Sequence, residues 1–193
     1  MKCGIAALTT AGAFALAILL PVPAARAADV FTLTSPAVQD NGTLATKIAC
    51  SDKERTPNCV GENISPPLAW SNVPDGTKSF ALVLLDPEGR APAGVSHMVV
   101  YGIPAEVKGV AEGGLSKPSD KFVGGKNLMG SAIYFGPGPP PNVDWHHYTF
   151  TLVATDLDPK ALQPGMTREE LAAALKDHAK GSAGLVTRFR HPT

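Results

Sequence analysis

Four side chains in this sequence bring together a carboxylate, two imidazoles and a phenol, a set able to bind a small ligand or move protons. They are Asp86, His97, His146 and Tyr148. Asp86 ends an apolar segment and precedes Pro87, which biases Asp86 toward an extended conformation. His97 opens the next strongly apolar segment. We therefore expect Asp86 and His97 to meet at one sheet edge, where the carboxylate accepts an imidazole N–H and favours the charged ring.

A proline-rich loop precedes the second histidine. Four prolines stand in the six residues Gly136-Pro137-Gly138-Pro139-Pro140-Pro141, and because proline removes a backbone donor, this segment is predicted to form a rigid turn or rim. Directly after it, Tyr148, Phe150 and Leu152 alternate with threonines, as in a half-buried strand. His146 stands two residues before Tyr148, so both side chains are expected to point to the same, apolar face of the strand. Their N–H and O–H donors predict a pocket for a phosphate or carboxylate.

Other chemistry at these residues is weighed against that pocket. His147 has the opposite parity and is expected to be exposed. Asp144, His146 and His147 superficially resemble a metal cluster, but adjacent histidines on a strand face opposite ways, so we predict no metal. Phosphate-loop, nucleophile-elbow and H-E-x-x-H motifs are absent from the sequence, and no cofactor is expected. The alternative to a binding pocket is a secreted hydrolase, with Asp86 and His97 as a base pair and His146 as an acid.

Strands dominate the predicted elements, and Pro or Gly clusters separate them. Both faces of Phe80–Leu85 are apolar, which predicts a central strand covered on two sides. One helix is predicted, with Thr167 as its N-cap, Glu170 as the capping-box partner and Gly181 at its end. These features indicate a mainly β fold with a sandwich core and one helix near the C-terminus. The predicted strands are Phe31–Leu33, Ser79–Leu85, His97–Ile103, Tyr148–Thr155 and Gly184–Phe189.

The first residues have the composition of a secretory leader. An apolar run from Ile5 to Leu20 follows Lys2, and Ala25-Arg26-Ala27 offers the small residues of a cleavage site. We predict a signal peptide at 1–27 and a single domain at 28–193, periplasmic or secreted; the alternative is a retained membrane anchor. Cleavage leaves 15 basic and 17 acidic residues and no second apolar run of membrane-spanning length. Nucleic acid is therefore not an expected partner.

Two cysteines remain after the leader. An even pair in an exported chain favours a disulfide between Cys50 and Cys59. The segment between them is polar and turn-rich, so the bond is expected to clamp a surface loop. Metal binding by the pair is the alternative, although the spacing differs from that of a Cys-x-x-Cys knuckle.

Several separated motifs, in order, resemble the phosphatidylethanolamine-binding protein family, and most closely its bacterial branch, described as Raf kinase inhibitor-like. Together they extend over about Phe31 to Phe189. The motifs are Asn63–Trp70, Asp86-Pro87-Glu88, His97, Ile103-Pro104, Asn127 with Gly130 and Tyr134, Gly136-Pro137 with Pro139-Pro140, His146 with Tyr148, and Met166–Leu171.

The resemblance implies an antiparallel Greek-key β-sandwich with a small anion pocket at one end. In this family the pocket holds phosphate-like groups and phosphoethanolamine headgroups. Carried over by position, the pocket is Asp86, His97, Gly136, Pro137, His146 and Tyr148. This chain has Glu88 where the family's second acid is usually Asp, and Met98 where bacterial relatives often have Trp. The resemblance favours an exported binding protein for an anionic ligand or phospholipid headgroup, with a modulated partner protein as a further role.

Overall fold

The computed structural model describes residues 29–54 and 56–192, which form nine strands and one α-helix. The predicted leader and its cleavage site lie outside the described residues. No helix within these ranges is long and apolar enough to cross a membrane. The elements are β1 Thr32–Thr34, β2 Gly42–Thr43, β3 Leu68–Ser71, β4 Ser79–Asp86, β5 Val95–Pro104, β6 Gly109–Val110, β7 Val123–Gly124, β8 His146–Thr155, α1 Arg168–Ala174 and β9 Ala179–Phe189.

Two sheets build the molecule, which confirms the mainly β prediction. The larger sheet has the strand order β2-β9-β8-β4-β5-β7, and the smaller has the order β1-β3-β6. In the larger sheet only β2 and β9 run parallel. The strands β4, β5, β8 and β9 are long because alternating or continuous apolar residues give them faces to bury.

Strand β4 lies at the centre of the larger sheet and is buried on both faces, as predicted. Phe80, Leu82 and Leu84 belong to the main core, which also contains Trp70 of the smaller sheet. On the other face, Ala81 packs in a second cluster with Leu171 of α1. The sheet is therefore covered by the small sheet on one side and by the helix on the other, and this fixes the edge where β4 ends.

The helix begins as predicted but ends early. Thr167 caps it, and Thr167 and Glu170 form the reciprocal capping box. The predicted end at Gly181 is wrong, because the helix stops at Ala174 and Asp177 adopts a left-handed φ of 67°. Gly181 lies instead in β9, where a Cβ would come within 3.0 Å of Pro74. Gly181 is therefore explained by the close approach of Pro74 to β9 and not by the end of a helix.

Candidate functional site

Three neighbouring strands bring the four predicted side chains to one edge of the larger sheet. Because β4 is antiparallel to both β5 and β8, its end lies beside the beginnings of those two strands. Asp86 is the last residue of β4, and His146 is the first of β8. We call Asp86, His97, His146 and Tyr148 the quartet. Residues far apart in the chain thus become neighbours through strand pairing alone.

A bulge in β5 sets the direction of His97. Leu84 pairs with Met98 and Leu85 with Ser96, which leaves His97 with no residue opposite it. An extra residue of this kind breaks the strict alternation of a strand. Met98 belongs to the main core, and the adjacent His97 nevertheless packs edge-on against Tyr148 of the same core, with ring centroids 5.2 Å apart. The bulge therefore lets the His97 side chain face the other three residues of the quartet.

The carboxylate of Asp86 is almost fully buried and accepts three hydrogen bonds. Its Oδ1 accepts from the backbone N–H groups of Glu88 at 3.0 Å and Gly89 at 2.9 Å. Its Oδ2 lies 2.8 Å from Nδ1 of His146 and 3.9 Å from Nε2 of His97. The expected hydrogen bond between Asp86 and His97 is thus wrong, because 3.9 Å exceeds hydrogen-bonding distance. His146, on the strand at the other side of β4, takes that place.

His97 uses its other nitrogen on the backbone. Its Nδ1 donates to the carbonyl oxygen of Phe135 at 2.8 Å, and the two rings stack with centroids 6.1 Å apart. Burial lowers the pKa of His97, although the Phe135 carbonyl and the charge of Asp86 act in the opposite direction. The ring is therefore neutral near pH 7, contrary to the charged ring expected from the sequence. Its Nε2 makes no hydrogen bond to any described residue.

Tyr148 contributes a buried hydroxyl that makes no hydrogen bond to a described residue. The side chain is fully buried, and the hydroxyl has no hydrogen-bond partner among the described residues. Burial raises the pKa of Tyr148 far above its usual value, and the charge of Asp86 raises it further. The phenol therefore keeps its proton and can donate it to a group that enters the site.

The Gly136–Pro137 turn supports the quartet through its neighbours. The N–H of Gly136 donates to Oδ1 of Asn63 at 2.8 Å, and the carbonyl of Pro137 accepts from Cys50 N–H at 2.9 Å. These two polar groups are already used. The turn acts on the quartet through its backbone, since the Phe135 carbonyl and the backbone of Gly136 both oppose the lowering of the His97 pKa by burial. Sequence reasoning missed Phe135, since a backbone carbonyl carries no side-chain signature. Asn63 lies in the Asn63–Trp70 motif, which could have indicated it.

Glu88 and His147 form a second carboxylate–imidazole pair beside the quartet. Glu88 accepts from the backbone N–H of His147 at 3.0 Å and from its Nδ1 at 2.7 Å. Partial burial raises the pKa of Glu88, but the hydrogen bonds from His147 outweigh it and leave the pKa lowered. The His147 side chain is 42% exposed, which agrees with the exposure expected from parity. The pair fastens the loop after β4 to the start of β8.

A metal centre is not assigned to these groups. Asp86, Glu88 and His146 offer ligand-type atoms within 4.8 Å of one another. However, Nδ1 of His146 carries the proton that it donates to Asp86, and Glu88 is engaged by His147. A cation bound through Nδ1 of His146 would displace the hydrogen bond to Asp86, whereas a ligand that accepts from Tyr148 leaves that bond in place.

A small cavity of about 150 Å³ lies next to the quartet. Tyr134 and Phe135 line it together with Asn63, and the quartet residues do not. Phe135, whose ring stacks on that of His97, thus contacts both the cavity and the quartet. The exposed fractions of Asp86 and His97, 3% and 4%, limit direct access to a group of a few atoms.

The predicted disulfide lies against the proline-rich loop. Cys50 and Cys59 are bonded to each other, and both are fully buried. A Cβ at Gly138 would lie 2.7 Å from the sulfur of Cys50. The disulfide thus packs directly on the proline-rich loop that positions Phe135.

Comparison with known proteins shows the family of this chain. A family model described as phosphatidylethanolamine-binding protein matches residues 34–190. A UPF0098 protein of Methanothermobacter thermautotrophicus is 40% identical over 150 residues, or 74% of this chain and 95% of that protein. A Mycobacterium tuberculosis protein named putative lipoprotein LppC is 36% identical over 172 residues, or 86% of this chain and 75% of its own length.

Solved structures give the same answer. Escherichia coli YbcL, described as a new member of the mammalian PEBP family, has a TM-score of 0.73 and 29% identity, covering 83% of this chain and 98% of that one. A phosphatidylethanolamine-binding protein homologue from Chlamydia trachomatis, CT736, has a TM-score of 0.70 and 30% identity, covering 84% of this chain and 98% of that one. With this fold, and with a family model spanning most of its length, the chain belongs to the phosphatidylethanolamine-binding protein family.

Proposed function

We propose that this protein is an exported binding protein whose quartet holds the anionic group of a small ligand, a phosphate or a phosphoethanolamine-type headgroup. The observation that carries the proposal is the hydroxyl of Tyr148, a fully buried donor with no partner among the described residues. An unpaired buried hydroxyl costs about 1–3 kcal/mol, and a ligand oxygen that accepts from it removes that cost.

The electrostatics of Asp86 are compatible with an anionic neighbour. Its carboxylate accepts from two backbone N–H groups and from His146, so its charge is compensated inside the protein. The opposite side of the His146 ring, with Nε2, makes no hydrogen bond to a described residue and is available to the ligand. The proposed ligand-binding residues are therefore Tyr148, His146 and His97, with Asp86, Gly136 and Pro137 positioning them.

Binding is favoured over hydrolysis by one distance. The hydrolase alternative needs Asp86 and His97 to act as a base pair, but Nε2 of His97 is 3.9 Å from the carboxylate, and the proton that His97 donates goes to a backbone carbonyl. Export of the protein is supported by the leader-like sequence, and the relative named putative lipoprotein is compatible with it. Modulation of a partner protein is a further proposed role.

Matched asparagine variants test the binding site by calorimetric titration with phosphoethanolamine. Asparagine keeps a donor near the position of Nδ1 and removes Nε2, so His146→Asn retains the contact to Asp86 and His147→Asn the contact to Glu88. We expect His146→Asn to weaken binding by about ten- to hundredfold, the value of a charge-assisted hydrogen bond, and His147→Asn by less than about threefold. Equal effects, or no saturable binding by the unmodified protein, contradict the proposal. Turnover of phosphoesters that is lost in His97→Ala would favour the hydrolase instead.

A further inference from the structure

The hydrogen bond to Phe135 fixes which nitrogen of His97 carries the proton. A backbone carbonyl can only accept, so Nδ1, at 2.8 Å from the Phe135 oxygen, is the protonated nitrogen. In a neutral ring Nε2 then carries no proton, and its lone pair can only accept a hydrogen bond. Nε2 makes no hydrogen bond to a described residue and faces the Asp86 side of the site at 3.9 Å. The quartet thus contains an acceptor where the charged His97 ring expected from the sequence would supply a donor.

The charged groups around His97 do not convert that acceptor into a donor. Those that face it are Asp86 from β4 and His146 and Tyr148 from β8, with Glu88 and Tyr134 close to Tyr148. Burial lowers the pKa of His97 in spite of the Asp86 charge, and His146 acts in the same direction as burial. A fully buried imidazole with a lowered pKa stays neutral at physiological pH.

Beside Nε2 of His146, the site therefore offers one donor and one acceptor close together. The Tyr148 hydroxyl donates, and Nε2 of His97 accepts, on rings whose centroids are 5.2 Å apart. A fully deprotonated oxyanion has only acceptors, so it would place an oxygen lone pair against the Nε2 lone pair and add its charge to that of Asp86. An oxyanion with one hydroxyl satisfies both groups and carries less charge.

We propose that the quartet selects a singly protonated oxyanion, inorganic phosphate or a phosphomonoester as its monoanion, whose P–OH donates to Nε2 of His97 while another oxygen accepts from Tyr148. This inference rests on the proposed anion site and specifies its ligand class. It disfavours sulfate esters and phosphodiesters, the headgroup of an intact phospholipid among them, because they have no such hydroxyl at neutral pH. The proposed ligands are thereby narrowed to phosphate and free phosphomonoesters.

Two nearly isosteric compounds test the selection by calorimetric titration: phosphoethanolamine and 2-aminoethyl hydrogen sulfate. At pH 6 we expect phosphoethanolamine to bind at least about tenfold more tightly, because a site built to pair a hydroxyl rejects an analogue without one. The second pKa of a phosphomonoester is about 6. Above this pKa the monoanion is depleted. The affinity for phosphoethanolamine should therefore decrease with rising pH, with a slope that approaches about tenfold per pH unit. The sulfate ester has no such titration and should show a flat profile.

Two variants separate the acceptor from the donor. In His97→Gln the side-chain amide can present N–H or oxygen, so the preference for phosphoethanolamine over the sulfate ester should shrink to about threefold or less. Tyr148→Phe removes a donor used by both compounds, so both should weaken equally while their ratio stays unchanged.

The possible outcomes distinguish this inference from the function on which it rests. Equal binding of the two compounds, or parallel gains in affinity as the pH falls, would mean that an imidazole supplies the proton, and the selection proposed here would be wrong. Binding of neither compound would overturn the anion site itself. The comparison on the unmodified protein needs no variant to fold.

Discussion

Asp86 hydrogen-bonds His146 across 60 residues of sequence, with Oδ2 2.8 Å from Nδ1. The same carboxylate holds the backbone of Glu88 and Gly89 through Oδ1. One buried side chain thereby fixes both the turn that follows β4 and the tautomer of the first residue of β8. The orientation of His146 depends on this bond, not on the position of His146 in the sequence.

Replacing Asp86 should therefore affect stability in a graded way. Asp86→Ala leaves three donors of partly buried hydrogen bonds without a partner and should cost about 1–3 kcal/mol in the free energy of unfolding. Asp86→Asn keeps Oδ1 for the two backbone groups, and His146 can accept from the new amide by moving its proton to Nε2, so a smaller loss is expected. Urea denaturation measures both variants. An equal loss would mean that Oδ1 does not hold the turn.

The lowered pKa of His97 predicts how stability depends on pH. The unfolded chain protonates this histidine near its ordinary value of 6.5, whereas the folded protein does so only at lower pH. As the pH falls through about 6.5, the unfolded state gains a proton that the folded state does not, so stability decreases. It levels off only below the folded pKa.

Thermal melts of the protein and of His97→Gln between pH 8 and pH 5 check this sign. The melting temperature of the unmodified protein should fall more steeply with decreasing pH than that of the variant, because the other histidines are common to both. Parallel curves would show that His97 titrates normally in the folded state.

The long elements of the fold were predictable because each carries its own pattern. β4 is apolar on both faces, β8 alternates, and α1 has a complete capping box. The two-residue strands β2, β6 and β7 are too short for any period to emerge. The early end of α1 depends on the left-handed conformation of Asp177. Aspartate tolerates this conformation, but its presence in the sequence does not predict it.

The members of the candidate site were predictable, but their partners were not. Each quartet residue stands at the end of an apolar segment, and this suggested a common edge. Which carboxylate pairs with which imidazole depends on strand order, since β4 lies between β5 and β8. The direction of His97 depends on a bulge in register, and its partner is the main-chain oxygen of Phe135. None of these relations leaves a trace in residue types.

Gly136 should tolerate no side chain. A Cβ there would overlap the carbonyl oxygen of Ile48 and lie 2.7 Å from the carbonyl carbon of Ala49, so Gly136→Ala forces the turn away from the loop before Cys50. We expect a loss of about 1–3 kcal/mol of stability, and weaker binding because Phe135 moves with the turn. Gly184→Ala is the control, since its Cβ would meet only a carbonyl oxygen at 3.9 Å. Denaturation curves that coincide for the two variants would contradict this account.

Export predicts a mature chain that begins at Ala28. Ala25 and Ala27 are the small residues that signal peptidase requires. Intact-mass spectrometry and N-terminal sequencing of the protein exported by its native host should find this start. Ala27→Tyr should slow the removal of the leader. Exported protein that still begins at Met1 would favour the retained anchor.

The Cys50–Cys59 disulfide should stabilise the site as well as the loop that it closes. A bond closing a loop of this length contributes about 2–3 kcal/mol in the chain-entropy model, and its sulfur packs against Gly138 of the proline-rich loop. Reductant should therefore lower the urea midpoint of the unmodified protein. The double variant Cys50→Ala, Cys59→Ala should be less stable from the start and insensitive to reductant. Alkylation without reductant should modify neither cysteine in exported protein. If both were modified, or if reductant weakened the double variant equally, the bond would not be what holds this loop in place.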